Sequence, residues 1–566
     1  MSIRQLLLQR AACAALFLCG AGAVYSGDTA AQLGSPEIDT GRTERQAAYA
    51  KRFMVAGADH LAVEAGLEML RAGGSAADAA IAVQLVLGLV EPQSSGLGGG
   101  AFVLHWSEKD KRVRTYDGRE TAPAAAQPGR FLDRLGNPEE FMLAVASGRA
   151  VGVPGVPRLL ERLHREHGKL PWARLFEPAI RLAEKGITKT RRLARLLEHE
   201  QLLGEDPAAR ALFYSGPRFA NRAYAATLRT LAQRGADAFY RGPIAQDIVR
   251  AVHAHPRPGD MTLEDLAAYR VLEREPLCGA YRGYRLCGMG PPSSGGVTVL
   301  QILGILERTG FAAAKPGSAQ AVHLFSEAAR LAYADRLRYI ADPAFVPQPI
   351  ARLLDAKYLD ARAKLIGERS MVFALPGDLD GEAAGTSHLS IVDDEGNAVA
   401  MTTTIEHAFG SRILVRGFLL NNQLTDFAFQ PTIAGRPAAN RVEPGKRPRS
   451  SMAPTFVFEH DGRLKMAIGS PGGLPIINYV AKTLVATLDW GMDIQSAISY
   501  PNFGSTNGPT FLERRTEIEE LGDALAERGH VLNFTSLTSG LHGIERIPGG
   551  WRGGADPRRE GIAAGD

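Results

Sequence analysis

The chain has 566 residues. A single hydrophobic core stops growing at about 250–300 residues, so two or more units, or one large layered unit with insertions, are expected. With 65 basic against 61 acidic residues the charges nearly balance at +4, and no basic patch is dense enough for nucleic acid. Hydrophobic residues make up 45%, which is ordinary for a globular protein, and the 62 glycines sit in turn motifs with no repeat period.

The N-terminus opens with Arg4 and Arg10, then the apolar run Ala11 to Ala23, ending in the small residues Ala21-Gly22-Ala23. This is the pattern of a secretory signal over residues 1–23. Leu16-Phe17-Leu18-Cys19 is a weak lipoprotein site, because Leu18 is bulky where a small residue is wanted. No later stretch reaches about 18 apolar residues, so no stable membrane span is expected. Residues 24–52 are polar and rich in Ala and Gly, and are expected to form a loose mature N-terminus.

Helical spacing follows over Ala62 to Ala72, a Gly73-Gly74 break, and a second helix, Ala76 to Val90, capped by Ser75 with Asp78 in its first turn. Gly96-x-Gly98-x-x-Ala101 matches a dinucleotide fingerprint, but a helix precedes it and a strand follows, the reverse of what that site needs. The glycines instead predict a turn that passes close to another element. Residues 155–275 read as mostly helical. Leu159, Leu160 and Leu163, and Leu193, Leu196 and Leu197, are core stripes.

Export implies an oxidising compartment. Cys13 and Cys19 leave with the signal, so Cys278 and Cys287 remain. A hairpin turning at Arg282-Gly283 sets these two opposite each other as a non-hydrogen-bonded pair. A cross-strand disulfide and two buried thiols both fit, and the spacing excludes a CxxC-type site. The turn Pro291–Gly296 opens a helix from Val297 to Glu307, and another runs from Ala319 to Tyr339. Ala374 to Gly385 reads as a flexible linker. After it, Thr386 to Asp393 and Ala398 to Ile405 alternate as a hairpin turning at 394–397. Strands near Gly417–Leu420, Thr455–Glu459 and Leu464–Ile468 and helices near Ile477–Leu488 and Arg515–Arg528 complete an α+β pattern.

A threonine hydroxyl needs a base to act as a nucleophile. No Gly-x-Ser-x-Gly elbow is present. The α-amine of the nucleophile, with a reference pKa of about 8, can serve. That amine exists only if the chain is cut just before it. Thr386 suits such a cut, with a linker and the unobstructed Gly385 before it and a strand after it.

Gly385-Thr-Ser-His-Leu-Ser390, Asp393 to Ala400, Thr402-Thr-Thr-Ile405, Leu420-Asn-Asn-Gln423, Asp426-Phe427, Lys446 to Pro454 and Gly469-Ser-Pro-Gly-Gly473 stand in order. So do Glu64 to Phe102, Asp117 to Pro123, Val153-Pro-Gly155 and Pro291 to Gly296. Together these resemble the γ-glutamyltranspeptidase family of N-terminal nucleophile (Ntn) hydrolases over nearly all of the chain after the signal. The resemblance implies an α+β, four-layer αββα sandwich built from a large subunit, 53–385, and a small catalytic subunit, 386–566, held as a heterodimer from one precursor. It implies self-cleavage between Gly385 and Thr386, with Thr386 as nucleophile and Thr404 as its hydrogen-bonding partner. Arg119, Ser450 and Ser451 would hold the substrate α-carboxylate. Gln423 and Asp426 would receive its α-ammonium. Gly472 and Gly473 would form an oxyanion hole. The donor would be glutathione or another γ-glutamyl compound, and the acceptor water, an amino acid or a peptide. No metal or organic cofactor is implied, and the location implied is the bacterial periplasm. His388 reads as a structural strand residue.

Two departures stand out. Glu406 replaces the asparagine common in the family and sets a second acid near Asp426, where it can shift pKa values. The segment Phe427 to Arg449 is short and lacks Tyr and Trp, which implies a more open site. Both motivate an alternative, a glutaryl- or cephalosporin-type acylase of the same family. A further alternative is a secreted γ-glutamyl-binding protein that is never processed.

Overall fold

The computed structural model describes residues 41–376, 387–433 and 435–566. The leader with Cys13 and Cys19, the first part of segment 24–52, most of the linker and the Gly385–Thr386 junction lie outside the described residues.

The second expected helix forms as read. Ser75 Oγ accepts the Asp78 N–H at 3.2 Å, Asp78 Oδ2 accepts the Ser75 N–H at 2.9 Å, and this box starts Ala76–Val90. The helix is buried along its whole length, so it packs His60–Arg71 on one side and a sheet on another. Helix Ala319–Tyr339 has the bounds read from its spacing.

Two seven-stranded sheets, antiparallel at every pairing, form the centre. In one, Ser387–Val392 and Ala398–Thr404 lie between Met54–Gly57 and Gly100–Ser107. In the other, Leu464–Gly469 and Thr455–Phe458 lie between His542–Ile547 and Tyr284–Gly288. Period-two alternation sorts their side chains. Leu389, Ile391, Val399 and Met401 pack under the helices His60–Arg71 and Ala76–Val90. Ala398, Ala400, Phe102, Phe456 and Ala467 fill the space between the sheets. Helices Gly295–Leu306 and Ile476–Leu488 pack on the far sheet. The layers run helix, sheet, sheet, helix, as expected.

The glycine turn after Val90 makes the close approach inferred from sequence. A Cβ on Gly98 would stand 2.1 Å from the Leu419 carbonyl oxygen, and one on Gly99 would stand 1.9 Å from that of Thr404.

Four expectations need correction. The segment expected to be loose contributes an edge strand, Ala48–Ala50, paired with Trp551–Gly553. The expected helix Arg515–Arg528 is a 3-10 turn, Glu517–Leu521, followed by a short helix, Gly522–Glu527. Ala374, assigned to the flexible linker, is buried and exchanges two hydrogen bonds with Asn507. Strands Leu532–Thr535, His542–Ile547, Gly550–Ala555 and Ile562–Gly565 were not anticipated. They are short, and glycines at 543, 550, 553 and 554 erase the alternation a strand is read from.

Cys278 and Cys287 are bonded, with their Cα atoms 4.1 Å apart. Arg282 and Gly283 both have positive φ, 49° and 84°, the turn that a two-residue hairpin favours. Of the two readings open in sequence, the disulfide is the one found. Replacing both cysteines by serine is expected to cost about 2–3 kcal/mol, the loop entropy of so short a closure. Unfolding midpoints without reductant check it, and an unchanged midpoint would show that the bond carries no stability.

Candidate functional site

The expected site residues converge where the loops after several strands meet. Arg119 follows strand Arg112–Gly118, and its backbone N–H donates to Asp117 Oδ1 at 2.9 Å. Asp117 is in turn gripped by Arg274 at 2.6 Å and by Arg447. Although burial opposes it, these two guanidinium groups hold the Asp117 carboxyl below its usual range. A fixed anion therefore braces the turn that carries Arg119.

The Arg119 side chain is 1% exposed. It donates to Asp426, to the Arg449 carbonyl at 2.9 Å and to the Pro448 carbonyl at 3.3 Å. Asp426 closes the 3-10 turn Gln423–Asp426 and also accepts from Gln423 Nε2 at 2.7 Å. Asn421 sets that turn. Its amide donates to the carbonyls of Gly98 and Gly152 at 2.7 and 2.8 Å, and its Oδ1 accepts from the backbone N–H groups of Gly152 and Gln423. One buried amide thus ties three turns together.

Thr404 ends the strand Ala398–Thr404, and its hydroxyl oxygen accepts the Glu406 N–H at 2.8 Å. That bond turns the chain, and Glu406 takes the left-handed φ of 77°, a conformation that costs energy for a residue with a side chain. The half-buried Glu406 carboxylate is held by Asn422. Burial, and then the charge of Asp426, push its pKa up to about 8. Asp426 rises to about 6 by burial, against the pull of Arg119. The second acid does shift the titration here, as its position predicts.

Glu120 belongs to the same cluster, and its role was missed in sequence. It is fully buried, 3.9 Å from Arg119, and neither carboxylate oxygen has a hydrogen-bond partner among the described residues. Burial pushes it up to about 8 while Arg119 opposes. Burial thus favours the protonated forms of Glu120 and Glu406 beside the Arg119–Asp426 pair. Unmet hydrogen-bonding capacity also remains on Arg119 Nη1, Asp426 Oδ1 and Gln423 Oε1. Buried polar atoms left without partners call for an explanation, and a polar ligand between these groups would supply one.

Ser450 and Ser451 are buried beside the cluster. Ser451 Oγ accepts from Arg336 at 2.9 Å, and Arg336 also donates to Ser294 Oγ at 2.7 Å. Arg336 is a second guanidinium that sequence reasoning missed, because it lies inside a helix buried from Ala321 to Arg336 with no motif around it. Ser450 is held through its backbone, with its carbonyl accepting from Ser294 N and Oγ. Gly472 and Gly473 have φ of 121° and 70° and lead into the N-terminus of helix Ile476–Leu488. Neither N–H has a backbone partner among the described residues. Tyr333, one turn before Arg336, donates to the Leu474 carbonyl at 2.6 Å and ties this turn to the serines.

His388 points between the sheets, 2.9 Å from Thr402 Oγ1 and 3.0 Å from Ser390 Oγ. Burial holds it well below its usual pKa, so it is a neutral member of the packing.

Residues 62–566 match the sequence model of a family described as Gamma-glutamyltranspeptidase. The glutathione hydrolase proenzyme of Bacillus subtilis (strain 168) is 34% identical over 551 residues, covering 92% of each chain. The acylase ACY 1 proenzyme of Pseudomonas sp. (strain SE83) is 35% identical over 536 residues, covering 92% of this chain and 94% of its own. Among solved structures, a cephalosporin acylase from Bacillus halodurans superposes with a TM-score of 0.82 at 28% identity, covering 94% of this chain and 99% of that one.

Arg119→Ala would leave the buried Asp426 without its counter-charge. Breaking one side of a buried ion pair costs about 3–5 kcal/mol. Thermal unfolding is expected to report a loss of that order, and a loss near zero would mean that Asp426 simply protonates.

Proposed function

The chain belongs to the gamma-glutamyltranspeptidase family and is a γ-glutamyl hydrolase and transferase made as a proenzyme, and on that premise we propose that it cuts itself between Gly385 and Thr386 and then uses Thr386 as nucleophile. The observation that carries this reading is the hairpin register Ser387↔Thr403. Continued by one residue, that register would set Thr386 opposite Thr404, and directly opposed residues share a face. Thr404 would then assist the Thr386 hydroxyl.

In the cut, Thr386 Oγ adds to the Gly385 carbonyl carbon. The amide C–N bond breaks as the nitrogen takes the hydroxyl proton, and an ester remains. Water hydrolyses the ester to a Gly385 carboxylate and a free Thr386 hydroxyl and α-amine. The fragment that ends at Gly385 is the large subunit of the heterodimer and the fragment 386–566 the small one. In turnover that amine takes the hydroxyl proton. Thr386 Oγ attacks the γ-carbonyl of glutathione or another γ-glutamyl donor, and the amine product leaves with the proton. Water, an amino acid or a peptide then takes the acyl group. The Gly472 and Gly473 N–H groups would face the oxyanion. No metal or organic cofactor enters these steps.

The substrate's amino-acid end would insert into the Arg119–Asp426 pair. Its carboxylate takes Arg119, with Ser450 and Ser451 beside it, and its ammonium takes Asp426, Gln423 and Glu406. Each buried charge exchanges one partner for another, so no charge is stranded. The charged, apolar and small pattern of residues 1–23 supports export to the periplasm. No helix among the described residues is long and apolar enough to cross a membrane.

N-terminal sequencing of the mature protein is expected to find a fragment beginning Thr-Ser-His-Leu-Ser, and Thr386→Ala is expected to leave one uncut chain. A wild-type chain that stays whole and binds glutamate would instead support a secreted γ-glutamyl-binding protein.

A second reading, a glutaryl-type acylase, is favoured by Glu406 and by the likeness to the acylase proenzyme. A glutaryl donor lacks the ammonium. Glu406 is neutral below pH about 8 and negative above it. Ionisation attracts an ammonium and repels a bare glutaryl carboxylate. The ratio of γ-glutamyl to glutaryl kcat/KM is expected to rise roughly threefold or more between pH 6.5 and 8.5, and to rise less in Glu406→Gln, where Glu120 alone of the two acids raised to about 8 remains. Faster glutaryl turnover across this range would favour the acylase.

A further inference from the structure

We propose that Glu327, Arg330 and Asn507 form a clamp on residues 370–374 that positions the chain upstream of the cut for self-cleavage. The proposal rests on the self-cleavage reading above. These three residues touch none of the groups assigned to substrate.

Glu327 and Arg330 lie one turn apart on helix Ala319–Tyr339, both fully buried and 3.1 Å apart. Glu327 Oε1 accepts from Ser370 Oγ at 2.8 Å and Oε2 accepts from the Met371 N–H at 2.9 Å. Arg330 Nη1 donates to the Val372 carbonyl at 3.0 Å. Asn507 receives the Ala374 N–H at 2.8 Å and donates to the Ala374 carbonyl at 3.0 Å, as a neighbouring strand would. The same Nη1 also reaches Ser505 Oγ at 2.9 Å and the Gly508 carbonyl, while Nη2 donates to Thr510 Oγ1 at 2.7 Å and to Ser370 Oγ at 3.4 Å. One guanidinium thus ties the chain ahead of the junction to residues that belong to the small subunit.

The backbone shows the grip. Val372 has φ of 60°, a conformation that a β-branched residue takes only where its surroundings impose it. Ser370 is also held through its N–H, 2.8 Å from the Arg528 carbonyl.

His323 and His530 buttress the clamp. With Glu327 they form a trio of metal-ligating side chains that converges among the described residues. Yet each ligand atom is engaged. His323 Nε2 donates to the Gly367 carbonyl at 2.8 Å and its Nδ1 meets His530 Nε2 at 2.8 Å, while His530 Nδ1 meets Thr510 Oγ1 at 2.7 Å. One proton assignment satisfies all of these: Thr510 donates to His530, and His530 donates to His323. The neighbouring Arg330 charge opposes a cation. The trio therefore fits a neutral strut better than a metal site.

The clamp ends just before residues 377–386, and Ser387 begins a strand on the far side. Attack of Thr386 Oγ on Gly385 needs both ends of that short span fixed. Releasing the clamp back to Gly367 roughly doubles the length of chain between fixed points, so the Gly385 carbonyl loses a set orientation toward the Thr386 hydroxyl.

The test follows conversion of freshly expressed precursor on denaturing gels, with kcat/KM and melting temperature measured on the matured fraction. Asn507→Gly suits the backbone there, whose φ is 71°, and removes both bonds to Ala374. It is expected to mature at least about threefold more slowly through lost orientation at the junction, with wild-type kcat/KM once mature and a melting temperature lowered by the two buried bonds removed. Glu327→Gln should slow maturation in the same way. Wild-type maturation rates in both variants would overturn the proposal. So would kcat/KM falling in step with maturation, which marks general damage. A cut that survives in Thr386→Ala would sink the self-cleavage reading itself, an outcome distinct from wild-type maturation in the two clamp variants.

Discussion

The site depends on one buried ion pair, Arg119 with Asp426, each about 1% exposed. Burying two charges is expensive, and the attraction offsets that cost only when geometry and further hydrogen bonds are good. Much of the surrounding structure meets that condition. Arg119 spends its remaining donors on the Arg449 and Pro448 carbonyls. Asp426 takes Gln423, and Asn440 holds the Asp426 backbone carbonyl at 2.7 Å. Behind Arg119, Asp117 is fixed by Arg274 and Arg447. The pair joins residues on either side of the proposed cut, so it binds the two subunits as well as forming the site.

The sheets join the same two parts of the chain. Ser387–Val392 pairs with Met54–Gly57, and Ala398–Thr404 pairs with Gly100–Ser107. The sheet around the hairpin thus sets the two strands that follow residue 386 between strands that precede it. A cut there breaks one peptide bond and leaves these ladders intact. That is the physical reason a single chain can acquire a new N-terminus in its centre and remain one body.

Much of the fold was legible because local rules and tertiary structure agree in it. The helix at Ala76 announces itself by Ser75 and Asp78, and the cysteine hairpin by Arg282-Gly283. The last strands were not legible, because Gly543, Gly553 and Gly554 pack where side chains would collide with Ile494, Met54 and Gln495. Their strand character comes from ladder bonds to distant partners, which leave no mark on composition. In the site, Arg119, Gln423, Asp426 and the serines stand in motifs. Arg336 and Glu120 carry no such mark. Arg336 becomes a site residue only because its helix crosses Ser451, and Glu120 only because a turn buries it 3.9 Å from Arg119.

By itself the sequence determined the family, the hairpin that follows the linker, the cross-strand placing of Cys278 and Cys287, and most of the helices. Each rests on residues adjacent in the chain or on spacing of two or three to four, so each is written locally. It also placed a second acid at Glu406. Tertiary structure alone decided the charge state of that acid, the partners of Arg119 and the clamp on residues 370–374. Those properties depend on desolvation and on which distant groups share a buried volume, and no single stretch of chain contains that information.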